Sequence, residues 1–381
     1  MLPITELAEF RSRVAAKPEI RELDLGDGVI SFCYMVAGES TFDDAWAREA
    51  RGICFDAATG KVCARPLHKF FNVNEREATQ AHRLPWGQVV RAMEKRDGSL
   101  IHTVATRAGL RLKSKKAFTS AVAVAATAWL NSPAGVATRR LCEEVLERDA
   151  TACFEWTAPD ARIVVPYPSP ELQLLHVRAN VTGAYWPVGE LRELCARHGA
   201  RLVAPAPFAA ELESGQLADP GERLLQLAAV TEGVEGWVLQ FADGELVKLK
   251  TRWYLERHKA MTFLRERDIA KLVLAEQLDD LKALLAGEGV DLAPVLAIEQ
   301  RVLADMRALE REVAEAHAAE QHLDRKSFAL RYRDHPYFGL LMERYTGRAP
   351  NVKKFFEQRL LRERYGLNQL SLLQTAADLD E

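Results

Sequence analysis

The sequence predicts an α+β domain over residues 1–256 followed by an all-α domain over residues 257–381. Three observations carry that prediction. Up to about residue 255, short runs rich in β-branched and aromatic residues, bounded by turn formers, are interspersed with stretches rich in Ala, Leu, Glu and Arg. From about residue 258 apolar residues recur at helical spacing, β-branched runs nearly vanish and cysteine is absent. At 381 residues the chain exceeds one typical domain and can bury two cores.

Taken in order, residues 5–16 read as a short helix opened by Thr5, and Val29 to Val36 as a buried strand. A hairpin follows, Arg51 to Phe55 and Lys61 to Arg65 about a turn at Ala58-Thr59-Gly60. Leu100 to Ala105 continues as a strand, Gly109 marks a turn, and Leu110 to Lys113 alternates apolar with basic. Residues 116–130 and 134–149 lack strand alternation and are separated by Asn131-Ser132-Pro133, which predicts two helices. Thr151 to Trp156 and Ile163 to Tyr167 are expected as strands joined at Pro159-Asp160-Ala161. Leu172 to Val177, a helix over 187–198, and Arg201 to Val203 add mixed elements. The clearest hairpin is Glu235 to Phe241 and Glu245 to Lys250 about Ala242-Asp243-Gly244. Period-two geometry puts Lys248 and Lys250 on one face, with Val247 and Leu249 on the other. In the second half, one long helix is expected from near Asp291, with Pro294 in its first turn and Val295, Ile298, Val302, Met306, Leu309 and Val313 along one stripe. Another runs from Pro350 to Gly366.

Composition narrows the function classes little. A net charge of −3 and a pI near 6.4 mean that phosphate binding must come from local clusters. One such cluster lies between Arg325 and Arg364, where eleven Lys and Arg face four Asp and Glu. Phe328, Tyr332, Tyr337, Phe338, Tyr345, Phe355, Phe356 and Tyr365 are interleaved or adjacent, a mixture suited to phosphate contacts and base stacking, or to a basic face around an aromatic core. The six cysteines show no paired C-x-x-C spacing, which argues against a zinc site or a disulfide framework. With no basic-then-apolar leader and no run of eighteen apolar residues, a soluble, cytoplasmic monomer is expected.

The stretch Glu94-Lys95-Arg96-Asp97-Gly98 carries the sharpest chemical signal. A lysine amine is a nucleophile only when neutral; burial or nearby cations favour that form and allow a covalent bond to an electrophilic phosphorus. Asp97 can face a nucleotide hydroxyl or a backbone amide, and Gly98 lets the main chain approach a ligand. Alone, Lys-x-Asp-Gly is as consistent with a surface turn. From the residues alone Arg51 and Lys69 read first as solvated charges at strand ends, and Glu155 equally as a solvent-facing carboxylate on a half-buried strand.

The order of the surrounding stretches adds weight. Ala50-Arg51-Gly52-Ile53-Cys54-Phe55, Leu67-His68-Lys69-Phe70-Phe71-Asn72, Lys113-Ser114-Lys115, Cys153-Phe154-Glu155-Trp156, Glu235-Gly236-Trp237-Val238 and Val247-Lys248-Leu249-Lys250 flank Lys95 in sequence. The whole series resembles the covalent nucleotidyltransferases, most closely the bacteriophage-type RNA ligase 1 family, over about residues 40–255. The resemblance implies a nucleotidyltransferase (ATP-grasp-like adenylation) domain of antiparallel sheets and helices, with ATP and Mg2+ as cofactors. It implies Lys95 as the nucleophile that becomes lysyl-AMP, with Lys248 and Lys250 as catalytic cations. Arg51, Lys69, Phe71, Asp97, Gly98, Lys115, Glu155 and Trp237 then belong to the nucleotide site, and Glu235 holds the metal. The implied partner is RNA with 5′-phosphate and 3′-hydroxyl ends, such as a nicked tRNA, in RNA repair. If phage-encoded, the protein would work in the host cytosol. Two departures stand out: Lys116-Ala117 replaces the Gly-Ser that follows the phage tripeptide, and Trp237 stands where tyrosine is common.

Two other classes fit parts of the pattern. A capping-type guanylyltransferase or DNA ligase shares the covalent chemistry but usually appends a β-barrel, which the helical tail argues against. A noncatalytic RNA-binding relative would keep the fold, but would have no use for an ordered nucleophile and phosphate clamp.

Overall fold

The computed structural model describes residues 2–35, 38–161, 163–260, 266–287 and 292–365. The chain divides into two compact units, Met1–His258 and Lys259–Glu381.

The first unit carries twelve strands among the described residues. β1 (Ile20–Asp24), β2 (Val29–Tyr34), β3 (Arg51–Asp56) and β4 (Val62–Ala64) form an antiparallel sheet in chain order. They are followed by β5 (Phe71–Asn72), β6 (Val89–Lys95), β7 (Ser99–Thr106), β8 (Gly109–Ser114), β9 (Ala150–Thr157), β10 (Glu171–Ala179), β11 (Gly236–Phe241) and β12 (Leu246–Lys250). A second sheet, antiparallel throughout, has the order β10-β9-β7-β8, and a third has the order β5-β12-β11-β6. In the third only the two-residue β5 runs parallel to its neighbour.

Alternation decides what each face meets. On one face of the third sheet Trp237, Leu239, Val247 and Leu249 pack with Phe208 and Leu224, buried beside the helices Ala209–Glu213 and Pro220–Val230. The opposite face presents Met93, Val238 and Leu246 to Cys153 of β9 and Leu175 of β10, with Leu67 and Phe70 between. The far side of the second sheet buries Ile101, Phe154 and Leu174 against Ala121–Leu130, Val136–Glu147 and Val188–His198. The second and third sheets thus share an apolar floor.

A buried charge cluster joins the first and second sheets. Arg178 of β10 donates to both oxygens of Glu49, at 2.8 and 2.7 Å, and to the carbonyl of Pro66 at 2.8 Å. Arg65 donates to the same carboxylate at 3.2 and 2.8 Å and to the carbonyl of Leu2 at 2.7 Å. The two arginines are fully buried and Glu49 nearly so. The cluster therefore fixes the entry to the stretch 67–71.

Two expectations change, and three expected element ends are not covered. Ile163 to Tyr167 is no strand: the amides of Val164 and Val165 are spent on the Asp97 carboxylate, and β9 pairs with β10 instead. Val36, Asp291 and Gly366, expected at element ends, lie outside the described residues. The helix after Pro350 runs as Val352–Phe355, a π-helical turn Phe356–Leu360, and Leu361–Arg364.

The described residues of the second unit are helical, with no strand among them. Its longest helix, Ala293–Glu320, has Pro294 in its first turn and buries the whole predicted stripe from Val295 to Val313. No helix among the described residues is long and apolar enough to cross a membrane.

Candidate active site

The register of the third sheet builds the site. Gly236 sits opposite Lys95 on one side and Lys250 on the other, so three strand ends meet in one row. A Cβ at Gly236 would lie 2.1 Å from the carbonyl oxygen of Leu249, and the residue has φ +148°, so only glycine fits. Glu235, one residue earlier, is tied down by its own carbonyl, which accepts from the amide of Thr251 at 3.0 Å. Its side chain, 3% exposed, receives the Lys95 Nζ at 2.7 Å on Oε2 and the Lys250 Nζ at 2.9 Å on Oε1. The amine of Lys95 is therefore held by the carboxylate that the resemblance assigned to the metal. Two ammonium groups so close need a counter-charge, and Glu235 supplies it to both.

Glu155 of β9 faces the same space from the second sheet. It has no hydrogen bond or ion pair among the described residues, and burial pushes its carboxyl up to about 7. Lys95 and Arg51 pull it down, while Glu235 and Asp97 push it further up. A carboxylate that is half-buried and left unpaired beside charged groups favours binding a cation or hydroxyl donors. It also opposes folding. Because the folded state holds the proton more tightly, stability falls as pH rises from the unfolded value near 4.5 to about 7. Glu155→Gln is expected to raise the stability of the ligand-free protein at pH 8 by roughly 1–3 kcal/mol while impairing function. Denaturant titrations at pH 5 and pH 8 would check this; a variant equally stable or weaker at pH 8 overturns it.

The cations line up along the same opening. Arg51 at the start of β3 lies over the Phe70 ring at 5.4 Å, and Lys248 lies over that ring at 5.6 Å. Lys69, 8% exposed, sits over the rings of Phe42 and Phe71 at 5.3 Å each and of Tyr34 at 6.0 Å. Lys115 shares the Tyr34 ring, 4.0 Å from its centroid. Segment 68–69 is held by Arg48, which donates to the Lys69 carbonyl at 3.1 Å and pairs with Glu245. Burial would push Glu245 up, but His68 and Arg48 outweigh it and bring it down to about 2.

Four of the expected nucleotide-site residues are seated against protein groups. Trp237, 2% exposed, lies on the opposite face of the sheet from Lys248 and Lys250, against Phe208 at 5.1 Å, because it is paired with Leu249. Of the two partners expected for Asp97 the structure supplies the backbone: one oxygen accepts from Val164 and Val165 at 2.7 Å each, and the other from the Tyr254 hydroxyl at 2.9 Å. Gly98 closely approaches β9: a Cβ there would stand 2.2 Å from the Trp156 carbonyl oxygen. Phe71, 8% exposed, has its ring beneath Lys69, Arg48 and Arg76.

Sequence reasoning missed Tyr167, whose hydroxyl accepts from the Asp97 amide at 2.9 Å, and Tyr254, which also lies under Lys250 at 4.9 Å. It missed Phe70 and the buried Lys113 as well. The Trp253-Tyr254 pair is visible as part of the phage pattern; Lys113 carries a hint in its alternation with Leu112. No group of three or more potential metal ligands occurs among the described residues.

The RNA ligase family pattern matches residues 49–255. A Thermovibrio ammonificans protein, whose own designation as an RNA ligase is provisional, is 34% identical over 274 residues, covering 69% of this chain and 67% of that one. RNA ligase 1 of bacteriophage TS2126 is 29% identical over 252 residues, 60% of this chain and 56% of its own length. Among solved structures, an archaeal ATP-dependent RNA ligase superposes with TM-score 0.44 at 15% identity, covering 81% of this chain and 79% of that one. With a family match over more than half the chain that takes in Lys95, Glu235 and Lys250, this protein belongs to the phage-type RNA ligase family.

Proposed function

We propose that the protein is an ATP-dependent ligase joining RNA 3′-hydroxyl and 5′-phosphate ends, in RNA repair. The observation that carries this is the convergence of Lys95, Lys250, Glu235 and Glu155 where the ends of β6, β11 and β12 face β9. Lys95 Nζ, on a side chain 20% exposed, gives a proton to solvent once released from Glu235 and attacks the α-phosphorus of ATP. The bond to the β-phosphate oxygen breaks, pyrophosphate leaves, and the nitrogen loses its second proton to solvent as the phosphoramidate forms. AMP passes from the phosphoramidate to the RNA 5′-phosphate, returning the lysine, and a 3′-hydroxyl then displaces AMP as the strand is sealed. Lys248 and Lys250 face the transferring phosphates, and Arg51, Lys69 and Lys115 take the rest of the nucleotide.

The donor set suits magnesium, which takes one or two carboxylates together with phosphate oxygens. Glu155, unpaired, and Glu235, once its lysines turn to phosphate, would hold it; when bound it neutralises charge on the pyrophosphate. Covalent labelling of purified protein by α-labelled ATP and magnesium tests the assignment. A protein that folds, binds RNA and takes no label is a noncatalytic relative.

The helical unit is proposed to recognise the RNA. Most of its basic residues between Arg325 and Arg364 are exposed, whereas Phe328, Phe356 and Tyr365 are core and the hydroxyls of Tyr332 and Tyr345 bond to main-chain carbonyls. That leaves the half-buried Tyr337, Phe338 and Phe355, of which Tyr337 and Phe355 lie edge to face at 5.5 Å, with Arg359 over Phe355 at 5.6 Å. Replacing Lys354 and Arg359 with Gln is expected to weaken RNA binding several-fold. It should also flatten the slope of log affinity against log salt by roughly 0.7 for each phosphate no longer neutralised. Unchanged affinity and slope would place RNA recognition elsewhere.

A further inference from the structure

Lys113, on β8, is fully buried, and no carboxylate pairs with it among the described residues. Burying an ammonium costs several kcal/mol unless it is well bonded, and an aliphatic side chain would fill the same space without that cost. Its two acceptors are main-chain carbonyls: Lys115 at 2.8 Å and Gly52 at 3.3 Å. They belong to different sheets. One is the residue after Arg51 at the start of β3; the other is Lys115 itself, just past the end of β8.

The backbones meet so closely that a Cβ on Gly52 would stand 2.7 Å from the Lys115 carbonyl oxygen and 3.0 Å from the Lys113 amine. Gly52 also has φ +103°, which favours glycine. His102, opposite Lys113 in the β7–β8 register, completes the niche: its Nε2 lies 3.5 Å from that Cβ position and has no hydrogen-bond partner among the described residues. Its Nδ1 sits 3.2 Å from the Thr103 carbonyl, which assigns the ring proton there and leaves Nε2 as a lone pair beside the ammonium. Burial, then Lys113, holds His102 well below the usual histidine range, so the ring adds no competing charge.

We infer that Lys113 is a positioning residue for the adenylation step: by clamping the carbonyls of Gly52 and Lys115 it fixes Arg51 and Lys115 side by side to receive the nucleotide. The inference rests on the proposed nucleotide contacts of Arg51 and Lys115. A cross-sheet clamp is needed because the two cations stand on separate sheets, and a shift of about 1 Å at such contacts can cost about a hundredfold.

The test uses the full-length protein and single-turnover labelling by α-labelled ATP across ATP concentrations. Lys113→Met is expected to melt at or above the wild-type temperature, to raise the half-saturating ATP concentration by roughly 10- to 100-fold, and to change the maximal rate by less than about threefold. Combined with Lys115→Met, its defect should be smaller than in the wild-type background, because the part that acts through Lys115 is already lost and only the part through Arg51 remains. Lys113→Gln, which keeps two donors and loses the charge, is the second variant should the first not fold. A folded variant with unchanged ATP dependence, additivity with Lys115→Met, or failure of both variants to fold would each overturn the inference. If the wild-type protein itself takes no label, the proposed function fails first, and the two failures are thereby told apart.

Discussion

Lys95→Ala protein, given α-labelled ATP and magnesium, is expected to show labelling reduced by about four orders of magnitude or more, to the level of a blank. Alanine offers no lone pair to phosphorus, and no other lysine replaces it: Lys250 is 5% exposed, and Lys248 belongs to a strand two places away in the sheet. The loss should be chemical and not structural. Lys95 is 20% exposed, and Glu235 keeps Lys250 at 2.9 Å when Lys95 is gone, so the melting temperature should hardly move. Lys95→Arg can still pair with Glu235 yet should be equally silent, since a guanidinium stays protonated. The arginine variant separates loss of the nucleophile from loss of the ion pair. A labelled, folded Lys95→Ala protein would refute the assignment of the nucleophile.

The largest effect on stability is expected at Glu49, far from any phosphate. Burial alone would push its carboxyl up, but Arg178 and Arg65 outweigh burial and hold it well below the ordinary range. Glu49→Gln leaves two fully buried guanidinium groups without their shared counter-charge, a loss of about 3–5 kcal/mol. The sign with pH follows from the lowered value. The unfolded chain binds a proton near pH 4.5 and the folded one only at much lower pH, so the stabilisation is full above about pH 5 and is lost as pH falls further. Urea titrations at pH 7 and pH 4 should show the wild-type protein losing stability between the two while the Gln variant changes less. Equal pH dependence would show that the cluster does not govern acid sensitivity.

Much of the molecule was determined by sequence alone, where the determinants are local. The β11–β12 hairpin, the shared face of Lys248 and Lys250, the helical second unit and the buried stripe from Val295 to Val313 follow from periodicity and turn chemistry. The order of short motifs around Lys95 pointed to the family, because each motif's residue types suit one chemistry. Pairing register could also have placed Trp237 correctly: it stands opposite Leu249, which alternation already set on the core face.

What only the tertiary structure decided are matters of which distant segments meet. The partners of Asp97 come from positions 164, 165 and 254, so no local rule could separate a fold-holding carboxylate from a ligand contact. Gly98 is set by the approach of β9, and Ile163 to Tyr167 gives up strand pairing because two of its amides bond a carboxylate. The pairing of Lys95 and Lys250 through one glutamate, the unpaired state of Glu155 and the burial of Lys113 depend on how sheets stack. Charge in a low-dielectric interior is governed by neighbours in space, and those neighbours are chosen by packing, not by sequence spacing.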